Sequence, residues 1–197
     1  MDDDDIEIRL GLAESYRQEM AQIYCEAFQG KLQPLVGSRD HGIAILEADL
    51  APGRALAALM AGRLVGFAGL QYDEERFFAP RLSTFVRELG WLRGPISVAL
   101  LRLFSSHYRE GELFLDTLAV HPSSRGQGVG TRLLQAVLAL ARERGFDSVR
   151  LEVVDTNPGA RRLYERLGFR AGKTRQYPYA RRAAGFSTVT TLTVAIA

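Results

Sequence analysis

The sequence predicts an α/β protein, one sheet of about six or seven strands with helices packed on it. Three observations lead there. Strand-like and helix-like segments follow one another along all 197 residues. A buried-strand pattern at 112–120 runs through a glycine-rich turn into the strongest helical pattern, 127–144. The chain is 47% hydrophobic and 24% charged, enough to fill one core and too apolar for disorder. A single domain spanning 1–197 is expected, with a helical insertion at about 73–111.

The elements are read in order. The run Asp2–Asp5 is a solvated acidic end. Ile6-Glu7-Ile8-Arg9-Leu10 alternates apolar and charged residues, as a half-buried strand does. Residues 13–28 place Met20, Ile23, Tyr24, Ala27 and Phe28 at helical spacing, with Gly30 as the expected stop. Residues 31–39 read as a loop and 40–51 as a second, weaker helix closed by Pro52-Gly53. Ala55–Met60 and Leu64–Leu70 flank Ala61-Gly62-Arg63 as a hairpin.

The insertion reads as a charged turn at 73–76 and two helices, 80–90 and 95–108, parted by Arg93-Gly94-Pro95. Ile96, Leu100, Leu103, Phe104 and His107 fall on one stripe of the second. Phe77, Phe78, Trp91 and Phe104 are candidates for a dimer face. Leu100, Leu103 and Phe104 of that stripe also have the look of a membrane-surface helix, but the run is short. Beyond the insertion, Leu113–Val120 is apolar apart from Asp116 and Thr117. Val129, Leu133, Leu134, Val137, Leu138 and Ala141 then make a broad apolar helical face, which Gly145 ends. Ser148–Val154 is a strand with Val149, Leu151 and Val153 on one face. Asn157 caps a helix with Pro158 at its first position, where a missing N–H costs nothing. Residues 169–174 and 187–196 close the sheet.

Composition narrows the function. Twenty-five basic and 23 acidic residues leave a net charge of +2, so no nucleic-acid partner is expected. Cys25 is alone, in a helical setting that suits a packed thiol. His41, His107 and His121 lack ligand spacing, so no metal is expected. The acidic N-terminus does not resemble a secretory leader, and no apolar run approaches the roughly 20 residues of a membrane span. The expected protein is cytoplasmic, monomeric or homodimeric, with no membrane partner.

Gly126, Gly128 and Gly130 alternate directly after the strand. Glycines there let the backbone approach a ligand and turn its N–H groups inward, and the following helix adds its positive dipole end. The result is an anion cradle suited to phosphate. The dinucleotide spacing would require glycine at 131, which is Thr131, and the Walker loop's Gly-Lys-Ser/Thr is missing.

Arg125-Gly126-Gln127-Gly128-Val129-Gly130, behind Leu118-Ala119-Val120-His121-Pro122, resembles the acetyl-CoA motif of the GCN5-related N-acetyltransferases. The block Asn157-Pro158-Gly159-Ala160-Arg161-Arg162-Leu163-Tyr164, continuing to Gly168-Phe169, resembles a second segment of that family, in the right order. The resemblance implies a twisted mixed sheet with helices on both faces, split between strands 112–120 and 148–154. It implies acetyl-CoA as co-substrate. The backbone of Leu118, Ala119 and Val120 would hold the pantetheine arm, that of Arg125, Gly126, Gln127, Gly128, Val129 and Gly130 the pyrophosphate, and Asn157 would touch the arm. The implied activity is acetyl transfer to a primary amine on a small molecule or a protein N-terminus. Tyr164 matches the family's acid. Glu152 and Asp116 compete as base, with water a third possibility. A non-catalytic acyl-CoA-binding protein of the same fold stays open.

Overall fold

The computed structural model describes residues 6–103, 109–177 and 185–196. Its sheet has seven strands: β1 Ile6–Leu10, β2 Ala55–Met60, β3 Arg63–Gln71, β4 Glu112–Val120, β5 Ser148–Val154, β6 Arg170–Gln176 and β7 Thr188–Ala195. Their order is β1-β2-β3-β4-β5-β7-β6. Neighbours pair antiparallel except β4 and β5, which are parallel. The helices are α1 Arg17–Ala27, α2 Gln29–Val36, α3 Arg39–Asp49, α4 Leu82–Leu103, α5 Val129–Glu143 and α6 Pro158–Arg166.

Two cores share the sheet. On one face the apolar side of α5 packs with Tyr164 of α6 over Leu56, Ala58, Leu113, Leu115, Val149 and Leu151. On the other, Met20 and Ile23 of α1 and Leu46 of α3 meet Ala55, Ala57, Leu59 and Phe67. Covered on both sides, β2 is apolar throughout. The hairpin to β3 turns at Ala61 and Gly62, both at positive φ.

Two expectations about helix ends need correction. Gly30 does not end the first helical region. The backbone leaves the helix at Phe28 (φ −120°, ψ 20°) and resumes as α2 through Gly30 and Pro34. Gly37, at φ 80°, is the true stop. Nor is Arg93-Gly94-Pro95 a linker. The chain breaks at Gly90 (φ 79°, ψ 172°), and Gly94 lies in the second half of α4. A Cβ on Gly94 would come within 2.8 Å of the Phe85–Val86 backbone, so glycine there permits close packing of the two halves. Phe77 and Phe78 are core residues rather than a dimer face. Asp2–Asp5, Phe104 and His107 lie outside the described residues.

Candidate active site

β4 changes character at Asp116. Gly69 of β3 faces Thr117, but Leu70 faces Leu115, leaving Asp116 as an extra residue in the strand. A bulge of this kind re-aims side chains and interrupts pairing. It also resets the alternation. Leu113 and Leu115 lie on the α5 side, and so do Leu118 and Val120 beyond the bulge, while Ala119 faces the other core. The parallel pairing with β5 runs from Glu112–Ser148 to Leu115–Leu151 and ends there. From Asp116 onward the two strands separate.

The opening is a cleft of about 790 Å³, a size suited to a small-molecule ligand. β4 contributes Asp116, Leu118 and Val120, and β5 contributes Leu151 to Val154. Gly128, Val129 and Gly130 form its end wall, α6 supplies Asn157 and Tyr164, and Phe28 reaches in from the end of α1. A second hollow of about 270 Å³ continues past Phe28, Val154 and Asn157 to Gly30, Thr156 and Gly185.

The glycine turn has the shape of an anion cradle. Gly126 (φ 77°) and Gly128 (φ 82°) hold left-handed backbone that other residues adopt at a cost. A Cβ on either would project into open space, so the cradle is unobstructed. Gly128 is the N-cap of α5, whose first turn carries no acidic residue. The arginine of the motif is turned back, its Nε donating to the Val120 carbonyl at 3.2 Å. Gln127 likewise donates to the Ser123 carbonyl. What the turn offers an anion is therefore its backbone N–H groups and the helix dipole.

The two carboxylates differ. Glu152 is three-quarters or more buried as a side chain and accepts a hydrogen bond from Arg175 of β6. Asp116 is exposed to the cleft but hemmed in by its walls, and this desolvation pushes its carboxyl up to about 6. Arg76 and the Thr117 hydroxyl, 3.5 Å away, oppose the rise, and Glu152 adds to it. Tyr24 of α1 also faces this group, and burial together with the Asp116 charge pushes its phenol up.

Tyr164 is buried against Phe169, its ring centroid 6.0 Å away, yet it lines the cleft. Burial pushes its phenol up to about 12, so it is neutral and keeps its proton. Asn157 caps α6 by accepting from the Ala160 N–H through Oδ1, which leaves its amide NH₂ for the cleft.

The cleft thus gathers Asp116, Leu118, Val120, Arg125, Gly126, Gly128, Val129, Gly130, Glu152, Asn157 and Tyr164. Ala119 and Gln127 are not on its wall, and the side chain of Ala119 belongs to the opposite core. Sequence reasoning gave no site role to Ser124 and Thr131, which flank the glycine motif, or to Leu163 inside the second block. It also missed Phe28, whose helical pattern gave no sign that the end of α1 meets β5.

A family profile described as the Acetyltransferase (GNAT) family matches residues 17–169. The thialysine N-epsilon-acetyltransferase of Bos taurus is 31% identical over 99 residues, 49% of this chain and 58% of that protein. The mycothiol acetyltransferase of Thermobispora bispora is 48% identical over 59 residues, 30% of this chain and 19% of that protein. In both, the match spans less than two-thirds of the relative's length. An N-acetyltransferase structure from Staphylococcus aureus Mu50 superposes with a TM-score of 0.69 at 18% identity, covering 95% of this chain and all of that one (100%).

Proposed function

The chain belongs to the GNAT family of acetyltransferases, and from that membership we propose that it transfers acetyl from acetyl-CoA directly to a primary amine. One geometric fact supports the reading above others. The β4–β5 split joins an open anion cradle at one end to a carboxylate with a raised pKa and a neutral tyrosine.

The N–H groups of 126–130 hold the pyrophosphate. The pantetheine arm lies along the β4 edge at 116–120, where no described strand pairs on the β5 side, and bonds its backbone as an added strand would. The Asn157 NH₂ reaches the arm. The acceptor enters from the side of Phe28 and Thr156, where the second hollow adjoins the cleft. It is a small-molecule amine or a protein N-terminus.

An amine arrives as its ammonium and must lose a proton before it can attack. Asp116 accepts that proton directly or through one water. The freed nitrogen attacks the thioester carbonyl carbon, and the developing oxyanion is stabilised by nearby N–H groups. As the intermediate collapses, the C–S bond breaks and Tyr164 donates its proton to the departing sulfur. The second nitrogen proton, lost as the amide forms, restores the tyrosine. We assign the base to Asp116 over Glu152 because Glu152 is engaged by Arg175.

The test is release of free CoA thiol from acetyl-CoA across a panel of small amines and peptide N-termini. Release that depends on at least one amine, matched by acetylated product in mass spectra, is the expected result. Acetyl-CoA binding with no amine-dependent release would overturn the reading in favour of an acyl-CoA-binding protein.

A further inference from the structure

The second half of α4 is apolar on two sides. Its inner side seats Val98, with Leu101 alongside, against Val36, Ile45 and Phe85. Its outer side carries Leu92 (83% exposed), Ile96 (60%) and Leu100 (37%), spaced i, i+4, i+8, with Trp91 (85%) at the near end. Pro95 and Ala99 are also exposed and fall on the same stripe at the helical period. Monomeric proteins seldom leave so continuous an apolar row uncovered. The membrane-surface pattern seen in the sequence included Leu100, which the fold turns outward.

Charge identifies what covers the stripe. By the helical period of about 100° per residue, exposed Arg93 and Arg102 sit on its two edges, with the Arg93 guanidinium turned toward Gly37 at the end of α2. Arg87, one turn before the break, is exposed and paired with Glu88. From Leu89 to Leu103 the sequence has no Asp or Glu. Two copies of this helix facing each other would bring only like charges to the rims of the contact, which opposes association. An apolar row edged by arginines and headed by a tryptophan fits the boundary of an anionic bilayer: the aliphatic chains and the indole enter the headgroup level, the Arg102 guanidinium meets lipid phosphates, and Arg93 adds positive charge at the other edge. No described helix is long and apolar enough to cross a membrane, so the contact is a surface one.

We propose that the outer face of α4, formed by Trp91, Leu92, Ile96 and Leu100 between Arg93 and Arg102, is a docking site for an anionic lipid bilayer. Partner charge is the basis of recognition and apolar insertion supplies the hold. This departs from the expectation, drawn from composition, of no membrane partner. It is independent of the acetyl-transfer reading.

Trp91 is the chain's single tryptophan, so its fluorescence reports on this face alone. The full chain is titrated with phosphatidylcholine vesicles and with vesicles that also contain phosphatidylglycerol, and binding is checked by co-sedimentation. The expected result is a shift of emission to shorter wavelength and co-sedimentation with the anionic vesicles only, weakened by salt. Both should be lost in Leu92→Glu/Ile96→Glu and reduced in Arg93→Glu/Arg102→Glu. All four positions are exposed, so the variants keep the wild-type circular dichroism. No shift with either vesicle overturns the proposal, as does equal binding to neutral vesicles. A lipid-free shift that grows with protein concentration overturns it in favour of a second copy of the chain.

Discussion

Asp116 combines three properties that no other residue in the cleft shares: it is the bulged residue of β4, it marks the end of β4–β5 pairing, and its carboxyl is pushed up to about 6. The last has a consequence for stability. Its folded pKa lies above the ordinary carboxylate value of 3.8, so between about 4 and 6 the folded chain holds more protons than the unfolded one. Stability from this group is therefore full below that window and declines as pH rises through it. Asp116→Asn is expected to flatten the decline, and melting temperatures from pH 4 to pH 8 would reveal it; a steeper decline in the variant would refute the assignment. Tyr164→Phe removes only the hydroxyl proposed as proton donor, leaving the ring on Phe169. The expected loss is in kcat, about 10²–10⁴-fold, with little change in acetyl-CoA affinity by calorimetry. Gly128→Ala places a Cβ on left-handed backbone. It should cost about 1–2 kcal/mol locally and act mainly on donor binding, seen as a raised KM for acetyl-CoA.

Among the elements, α5 and the β4–α5 turn were legible because their information is local. The spacing of Gly126, Gly128 and Gly130 and the apolar face from Val129 to Ala141 both lie within a few turns of chain. Asn157 was legible for the same reason, its cap and its helix being adjacent in sequence. The bulge at Asp116 was not, because it exists only in the register of β4 against β3. The Arg175 partner of Glu152 was hidden likewise, brought in from β6 by pairing through β7. The two glycine errors have a common physical source. Gly30 tolerates the helix and takes no positive φ, while Gly94 is required by a close backbone approach rather than by a turn. At Gly94 the fold makes a testable demand: Gly94→Ala should destabilise the chain by about 1–3 kcal/mol through overpacking against Phe85 and Val86. Denaturant unfolding would measure it, and an unchanged midpoint would show that the halves of α4 are not tightly packed.

For the molecule as a whole, the sheet is a frame with one deliberate gap. Antiparallel pairing holds β1–β4 on one side and β5, β7 and β6 on the other, and four parallel-paired positions join the halves below the cleft. Helices cover both faces of this frame. Ligand binding across it should couple the halves: at 100 times its Kd, acetyl-CoA adds about 2.7 kcal/mol if it binds the folded chain alone, visible as a raised Tm. The central claim is that chemistry takes place where β4 leaves β5, with Asp116 as its base. Its most direct test is the pH dependence of kcat/KM, using an amine that supports thiol release, in the wild type, Asp116→Asn and Glu152→Gln. The account predicts a wild-type rate that climbs through about pH 6 as Asp116 ionises. That limb should vanish in Asp116→Asn and persist in Glu152→Gln; the reverse pattern, lost in Glu152→Gln and kept in Asp116→Asn, would contradict it.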